Sequence, residues 1–224
     1  MIDLSMPTVG LLRFLALTTI LLAACGEPAR PTINLYRAIH AGDLDQIKRH
    51  LYWDTDVNRP DAEGDYPLHV AARRGRVVIA EMLLDQGADP NSRNLAGSTP
   101  LRTALEQGKT QVAQVLTRKG AADEVQDLLF TLVREGVSSR DSLQFLLERG
   151  ARIDDRDPQG DAALHIAVRR NQLLLVKRLL DQGADVNLTD GAGRTPLAIA
   201  VANDNQDIRK VLERFGASGG AASR

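Results

Sequence analysis

The chain repeats itself, and that bounds what it can fold into before any single residue is weighed. Gly-Ala pairs begin at Gly87, Gly120, Gly150, Gly183 and Gly216, spaced 33, 30, 33 and 33 residues apart. A second register runs through Leu35, Leu68, Leu101, Leu129, Leu164 and Leu197, at intervals of 33, 33, 28, 35 and 33. Seven residues after these leucines stand Gly42, Gly75, Gly108, Gly136, Asn171 and Asp204 in turn. Two registers that share a period mark a stack of like units rather than one closed core.

Each unit reads as two short helices and a turn. In the fifth, the helices are expected over Ala163 to Arg170 and Leu173 to Gln182, with Leu175, Val176, Leu179 and Leu180 at helical spacing. The glycine that follows the second helix suits the left-handed position where a side chain is strained. Thr99-Pro100 and Thr195-Pro196 place a capping hydroxyl before a proline at the first helical position. No unit can bury its own apolar face, so the expected fold is an all-α solenoid in which every repeat leans on its neighbours.

These residues resemble the ankyrin repeat. Thr195-Pro196-Leu197 matches its Thr-Pro-Leu-His signature without the His, and Tyr66-Pro67-Leu68-His69 and Ala163-Leu164-His165 match it in part. Gly183-Ala184-Asp185-Val186-Asn187 and Gly87-Ala88-Asp89-Pro90-Asn91 match the closing motif. The resemblance covers residues 34–217 as six repeats, about 34–60, 61–93, 94–121, 122–156, 157–189 and 190–217. It implies short hairpin turns between helical pairs, and His69 and His165 bonded to neighbouring turns rather than catalytic. The first repeat lacks an opening hairpin and carries Tyr36, Tyr52 and Trp53, as an N-terminal cap does, and the sixth has a polar second helix. The fourth loses about five residues at its opening turn and gains two between its helices, so the stack is expected to bend or open around residues 121–150. Ser218 to Arg224 is small and polar and reads as a disordered tail.

Ahead of the repeats, Phe14 to Ala24 is an uncharged stretch behind Arg13. It falls short of the roughly 20 apolar residues that span a bilayer and fits the apolar region of a secretory signal. Leu22-Ala23-Ala24-Cys25 resembles the lipobox of bacterial lipoproteins, and Cys25 is the only cysteine. That resemblance implies a signal peptide over residues 1–24, an acylated Cys25 as the first mature residue, and a linker to residue 33. It also implies a bacterial periplasmic location with a lipid anchor, Gly26 after the cysteine pointing to the outer rather than the inner membrane. Met6 is an alternative start. Nine residues between Cys25 and the first helix, at roughly 3.3–3.6 Å each, make a tether of about 30 Å.

Most chemistry is excluded. Lys plus Arg is 28 and Asp plus Glu is 29, a net charge of −1, so nothing favours a nucleic-acid partner. A single cysteine allows no internal disulfide and no multi-thiolate metal site. Gly108-Lys109-Thr110 mimics the end of a phosphate loop, but Thr103 stands where its first glycine belongs. Asp155-Arg156-Asp157-Pro158-Gln159-Gly160 resembles the start of a calcium loop, whose twelfth position is here Ile166 and not a glutamate. Asn187-Leu188-Thr189 is a formal sequon that the closing motif already explains. His40 and His50 stand without partners at ligand spacing. Arg134, Glu135, Arg140 and Asp141 are the only polar cluster of the fourth repeat and suggest no reaction. No catalytic residue, cofactor or metal is expected, and the chain is expected not to be an enzyme.

What remains is surface. The resemblance places partners on the hairpin tips and on the inner helices, at the two residues before each mid-repeat turn. Those pairs are Arg73-Arg74, Glu106-Gln107, Arg134-Glu135, Arg169-Arg170 and Ala202-Asn203, with Glu63, Asp65, Asp157 and Asp161 at the tips. Two Arg pairs on a nearly neutral chain make a positive patch, and arginine is prominent at binding hot spots. The expected role is a monomeric, lipid-anchored periplasmic scaffold or assembly factor for an envelope protein. The alternative is a specific inhibitor or immunity protein against a periplasmic toxin or enzyme. Arg169 is expected to be exposed, so that Arg169→Glu weakens binding without unfolding the stack.

Overall fold

The computed structural model describes residues 26–218; Cys25 with the segment before it, and residues 219–224, lie outside the described residues. Six helical pairs follow one another: α1 (Leu35–Ala41) with α2 (Leu44–Tyr52), α3 (Pro67–Arg74) with α4 (Val77–Asp85), and α5 (Pro100–Glu106) with α6 (Thr110–Arg118). Then come α7 (Val125–Glu135) with α8 (Arg140–Glu148), α9 (Ala163–Arg169) with α10 (Leu173–Asp181), and α11 (Pro196–Ala202) with α12 (Gln206–Arg214). No strand occurs among the described residues, and none of their helices is long and apolar enough to cross a membrane. One buried apolar cluster runs unbroken from Leu35 to Leu212, which is how units too small for a core of their own acquire one.

Both sequence registers are backbone events. Each mid-repeat position is left-handed, and where Gly is replaced the substitutes are Asn171 (φ 58°) and Asp204 (φ 51°), polar residues that tolerate that region. The Gly-Ala corners are left-handed too, and Asp54 (φ 51°) holds the equivalent place in the first repeat. Thr99 and Thr195 cap their helices as the Thr-Pro pairs suggest, each hydroxyl accepting from the backbone N–H three residues on.

Four hairpin tips share one construction. The side chains of Asp61, Asn94, Asp157 and Asp190 each accept two backbone N–H bonds, from the residues two and four ahead, and each hairpin closes with a backbone bond of 2.8–3.1 Å. Asp157, the apparent calcium ligand, is one of these four. Neighbouring hairpins pack tightly: a Cβ at Gly160 would come within 2.7 Å of Gly191 Cα. A parallel ladder ties the corners together. Asn58 donates to Gly87 O, Asn91 to Gly120 O and Asn187 to Gly216 O, so the formal sequon asparagine is a joint between repeats. Ser218, the one described residue of the expected tail, donates its N–H to Asn187 Oδ1 at 2.9 Å and so still belongs to the stack.

The position after each register leucine shows how repeats are joined. His69 Nε2 donates to Ser98 O at 2.7 Å in the next repeat, and His165 Nε2 to Leu188 O at 2.9 Å, just ahead of the hairpin that opens the next repeat. In the first repeat Tyr36 does this work, its Oη lying 2.8 Å from Asp65 O. The third repeat has Arg102 there, and the repeat that follows it is the one without a hairpin.

That fourth repeat is rebuilt. Residues 121–124 form no hairpin, α7 is 11 residues long where the other inner helices have seven or eight, and α8 starts four residues after the left-handed turn instead of two. Backbones approach closely along α1, α3 and α5 and again along α7, α9 and α11, whereas α5 and α7 barely meet. The stack therefore opens on its inner side between the third and fourth repeats. It stays continuous through α6 and α8 and through the Ser142 hydroxyl, which donates to Leu105 O at 2.6 Å.

Candidate protein-binding groove

The inner helices and the hairpin tips beside them form one face, and the residues singled out by sequence fall on it in two groups. Around the second and third repeats, Arg73 Nη1 meets Asp65 Oδ2 at 2.6 Å. Asn94 Nδ2 donates to Asp65 Oδ1 at 2.8 Å. Burial would raise the Asp65 pKa, but the Arg73 and Asn94 bonds outweigh it and hold the carboxyl below its ordinary value. Glu63 is exposed on the hairpin tip, its backbone N–H held by Asp61. Arg74 and Gln107 are exposed, and Arg74 makes no ion pair among the described residues.

Around the fourth and fifth repeats the grouping is denser. Arg134, Asp157, Asp161, Ile166, Arg169 and Arg170 share an open cleft of about 190 Å³. Arg134 Nη2 donates to Asp157 Oδ2 at 2.7 Å, with its guanidinium 5.7 Å from the centre of the Phe130 ring. Arg169 spans two hairpins: it grips both oxygens of Asp161 and reaches Asp190 Oδ2 at 2.6 Å. Burial would push the Asp190 pKa up. The backbone N–H groups of Arg194 and Ala192 and the Arg194 guanidinium overcome this and bring it down to about 2.

This geometry corrects part of the sequence reading. Arg73 and Arg169 are not free cations on a solvated face; each is committed to a carboxylate eight residues earlier. Asp65, Asp157 and Asp161 are buried and orient the arginines instead of presenting charge to solvent. Arg169 is exposed, yet reversing it leaves the buried Asp161 without a counter-charge and takes one of two from Asp190, which keeps Arg194, so Arg169→Glu is a destabilising change as well as a surface one. Arg170 is exposed and makes no ion pair among the described residues. Ala202 and Asn203 lie exposed on the last inner helix, apart from both groups.

Between the groups lies a link that sequence reasoning missed. Arg102 Nε donates to Glu106 at 2.9 Å, and its far nitrogen pairs with Glu135 across the opening between α5 and α7. Burial and the nearby Glu135 carboxylate raise the Glu106 pKa, against Arg102. Asp190 and Arg194 were missed as well. The available signal was the shared spacing of Asp65 to Arg73 and Asp161 to Arg169, together with the 33-residue step from Asp157 to Asp190.

Fold and groove define a class first: a helical solenoid whose inner helices and hairpin tips share one face, the kind of surface that takes a protein partner. The family model for ankyrin repeats (three copies) matches residues 35–127 and 129–219, and the chain belongs to the ankyrin-repeat family. Among solved structures it is similar to the human ASB11 ankyrin repeat domain, with TM-score 0.64 and 29% identity, over 84% of this chain and 86% of that one. A similar fit, with TM-score 0.60 and 26% identity over 83% of this chain and 99% of that one, is to a chain from the complex of the Bd0816 predatory endopeptidase of Bdellovibrio bacteriovorus with immunity protein Bd3460. Curated relatives match in short stretches. The mouse 60 kDa lysophospholipase is 50% identical over 50 residues, which is 22% of this chain and 9% of that protein. Human neurogenic locus notch homolog protein 2 is 42% identical over 78 residues, 34% of this chain and 3% of that one. The chain thus spans under a tenth of either protein, and nothing of their wider activities follows from the shared stretch.

Proposed function

We propose that this ankyrin stack is a non-enzymatic binding module, held by a lipid on Cys25 to a membrane facing a bacterial periplasm, and that its inner groove grips an acidic segment of an envelope protein. One observation carries the binding half: Arg74 and Arg170 project unpaired beside arginines that buried carboxylates already hold in place. A partner carboxylate meets the free Arg74 or Arg170 beside guanidinium groups already held in place, so few further side chains are ordered on binding, which favours affinity. The lipobox resemblance of Leu22-Ala23-Ala24-Cys25 supports the anchor, and Gly26 favours the outer membrane. The chain acts in this reading as a scaffold or assembly factor.

A second reading is favoured by one finding, the likeness to a chain of the endopeptidase–immunity protein complex. There the partner is an enzyme or toxin that the groove inhibits. The test is a crosslinked pull-down from native envelopes with wild type and an Arg74→Ala, Arg170→Ala variant, which leaves the committed Arg73 and Arg169 untouched. Loss of a captured protein from the variant is the expected result; equal capture removes the groove from the proposal. A captured enzyme whose activity the chain blocks selects the inhibitor reading. Cys25→Ala is expected to leave an uncleaved precursor, and normal processing of that variant rules the lipid anchor out.

A further inference from the structure

The chain reaches its first helix along a strap rather than a loose spacer. Trp53 Nε1 donates to Pro28 O at 3.1 Å, the Thr32 N–H to Gln46 Oε1 at 2.8 Å, and His50 Nε2 to Ile33 O at 2.7 Å. Residues 28–33 are therefore laid along α2, and only Gly26 and Glu27 separate Cys25 from Pro28. At 3.3–3.6 Å per residue that leaves a reach of about 10 Å, a third of the tether read from sequence.

At the outer end of the strap stand three residues of one character. The Arg30 guanidinium lies 4.6 Å over the Trp53 ring, and Tyr52 meets Trp53 edge-on with ring centres 5.5 Å apart. Tyr52 is 56% exposed. Trp53 is the only tryptophan of the chain. Tyr and Trp with one apolar and one polar side settle in the headgroup layer of a bilayer, and an arginine stem lets its charge reach the phosphates. Glu27 and Asp54 flank the group, so general attraction to anionic lipid does not drive the contact. A short tether does, because it makes the encounter intramolecular and lets a weak patch be occupied.

We infer, resting on the lipid-anchor reading above, that Arg30, Tyr52 and Trp53 sit in the phospholipid headgroup layer of the membrane that holds Cys25. The solenoid then stands on its first repeat and carries the Arg134–Arg170 cleft away from the bilayer. The sole cysteine and sole tryptophan supply the experiment. The unacylated chain from Cys25 onward is coupled through that thiol to a maleimide phospholipid in phosphatidylethanolamine–phosphatidylglycerol vesicles whose acyl chains are brominated near the headgroup or near the chain end. Coupling is expected to shift Trp53 emission to the blue, with shallow bromines quenching more than deep ones, and Tyr52→Glu is expected to reduce both effects with circular dichroism unchanged. Emission that neither shifts nor quenches, or quenching unaffected by a folded Tyr52→Glu variant, overturns the inference. The mass of the mature N-terminus from a bacterial host decides the anchor separately: an unacylated Cys25 defeats the lipoprotein reading whatever the vesicles show.

Discussion

The joint between the fifth and sixth repeats and the joint between the third and fourth solve one problem differently. At the first, hairpins 157–161 and 190–194 lie side by side, His165 holds Leu188 O just ahead of the second hairpin, and Arg169 grips a carboxylate on each hairpin. At the second the hairpin is missing, the inner helices stand apart, and the connection falls to Ser142 with Leu105, Thr99 with Asp123, and Arg102 with Glu135. Where these turns stack, His165 is bonded through both ring nitrogens, the buried carboxylates are paired, and Arg169 is fixed. Where they do not, the same sequence position carries an arginine that spans the gap through partly exposed groups.

Matched charge reversals sharpen this contrast most. Arg169→Glu removes the counter-charge of the buried Asp161 and one of the two held by the buried Asp190, and is expected to cost about 3–5 kcal/mol in urea unfolding. Arg102→Glu, between carboxylates that are partly exposed rather than buried, is expected to cost less, about 1 kcal/mol. Equal losses would mean that the hairpin is not what distinguishes the joints. Acid should act on the hairpin-bearing joint in the same way. Asp190 titrates near 2 in the folded chain against an ordinary 3.8, so its contribution, about 2 kcal/mol, is complete above pH 4 and disappears as pH falls towards 2. Asp190→Asn should flatten that part of a stability–pH curve.

Smaller effects test the separate parts. Gly183→Val and Gly150→Val each force a branched side chain to φ near 90° with no neighbour within 4 Å, so both are expected to lose about 1–3 kcal/mol of stability in thermal unfolding. Agreement between them would show that the corner cost is local and independent of the irregular repeat. Ser142→Ala removes the buried hydroxyl bond to Leu105 O, which keeps the Gly108 N–H at 3.1 Å, and is expected to cost about 1 kcal/mol, with faster hydrogen exchange confined to the third and fourth repeats. Exchange unchanged there would sink the view that this bond holds the hairpinless joint together.

Period, helix caps and left-handed turns were legible in the sequence because each is a local matter: Thr99 caps three residues ahead, and Asn171 takes its conformation from its own backbone. The opening at residues 121–150 was legible too, since five missing residues remove a hairpin wherever the chain lies. The groove was only half legible. Adjacent arginines look alike in a sequence, yet one helical step, about 100°, turns Arg169 towards the hairpins and leaves Arg170 to solvent. The same holds at Cys25, where counting residues makes a long tether and the packing of Pro28 to Ile33 on α2 makes a short one. Local backbone preference determined the repeat; which charges are free and how far the chain reaches depended on what tertiary packing had already bound.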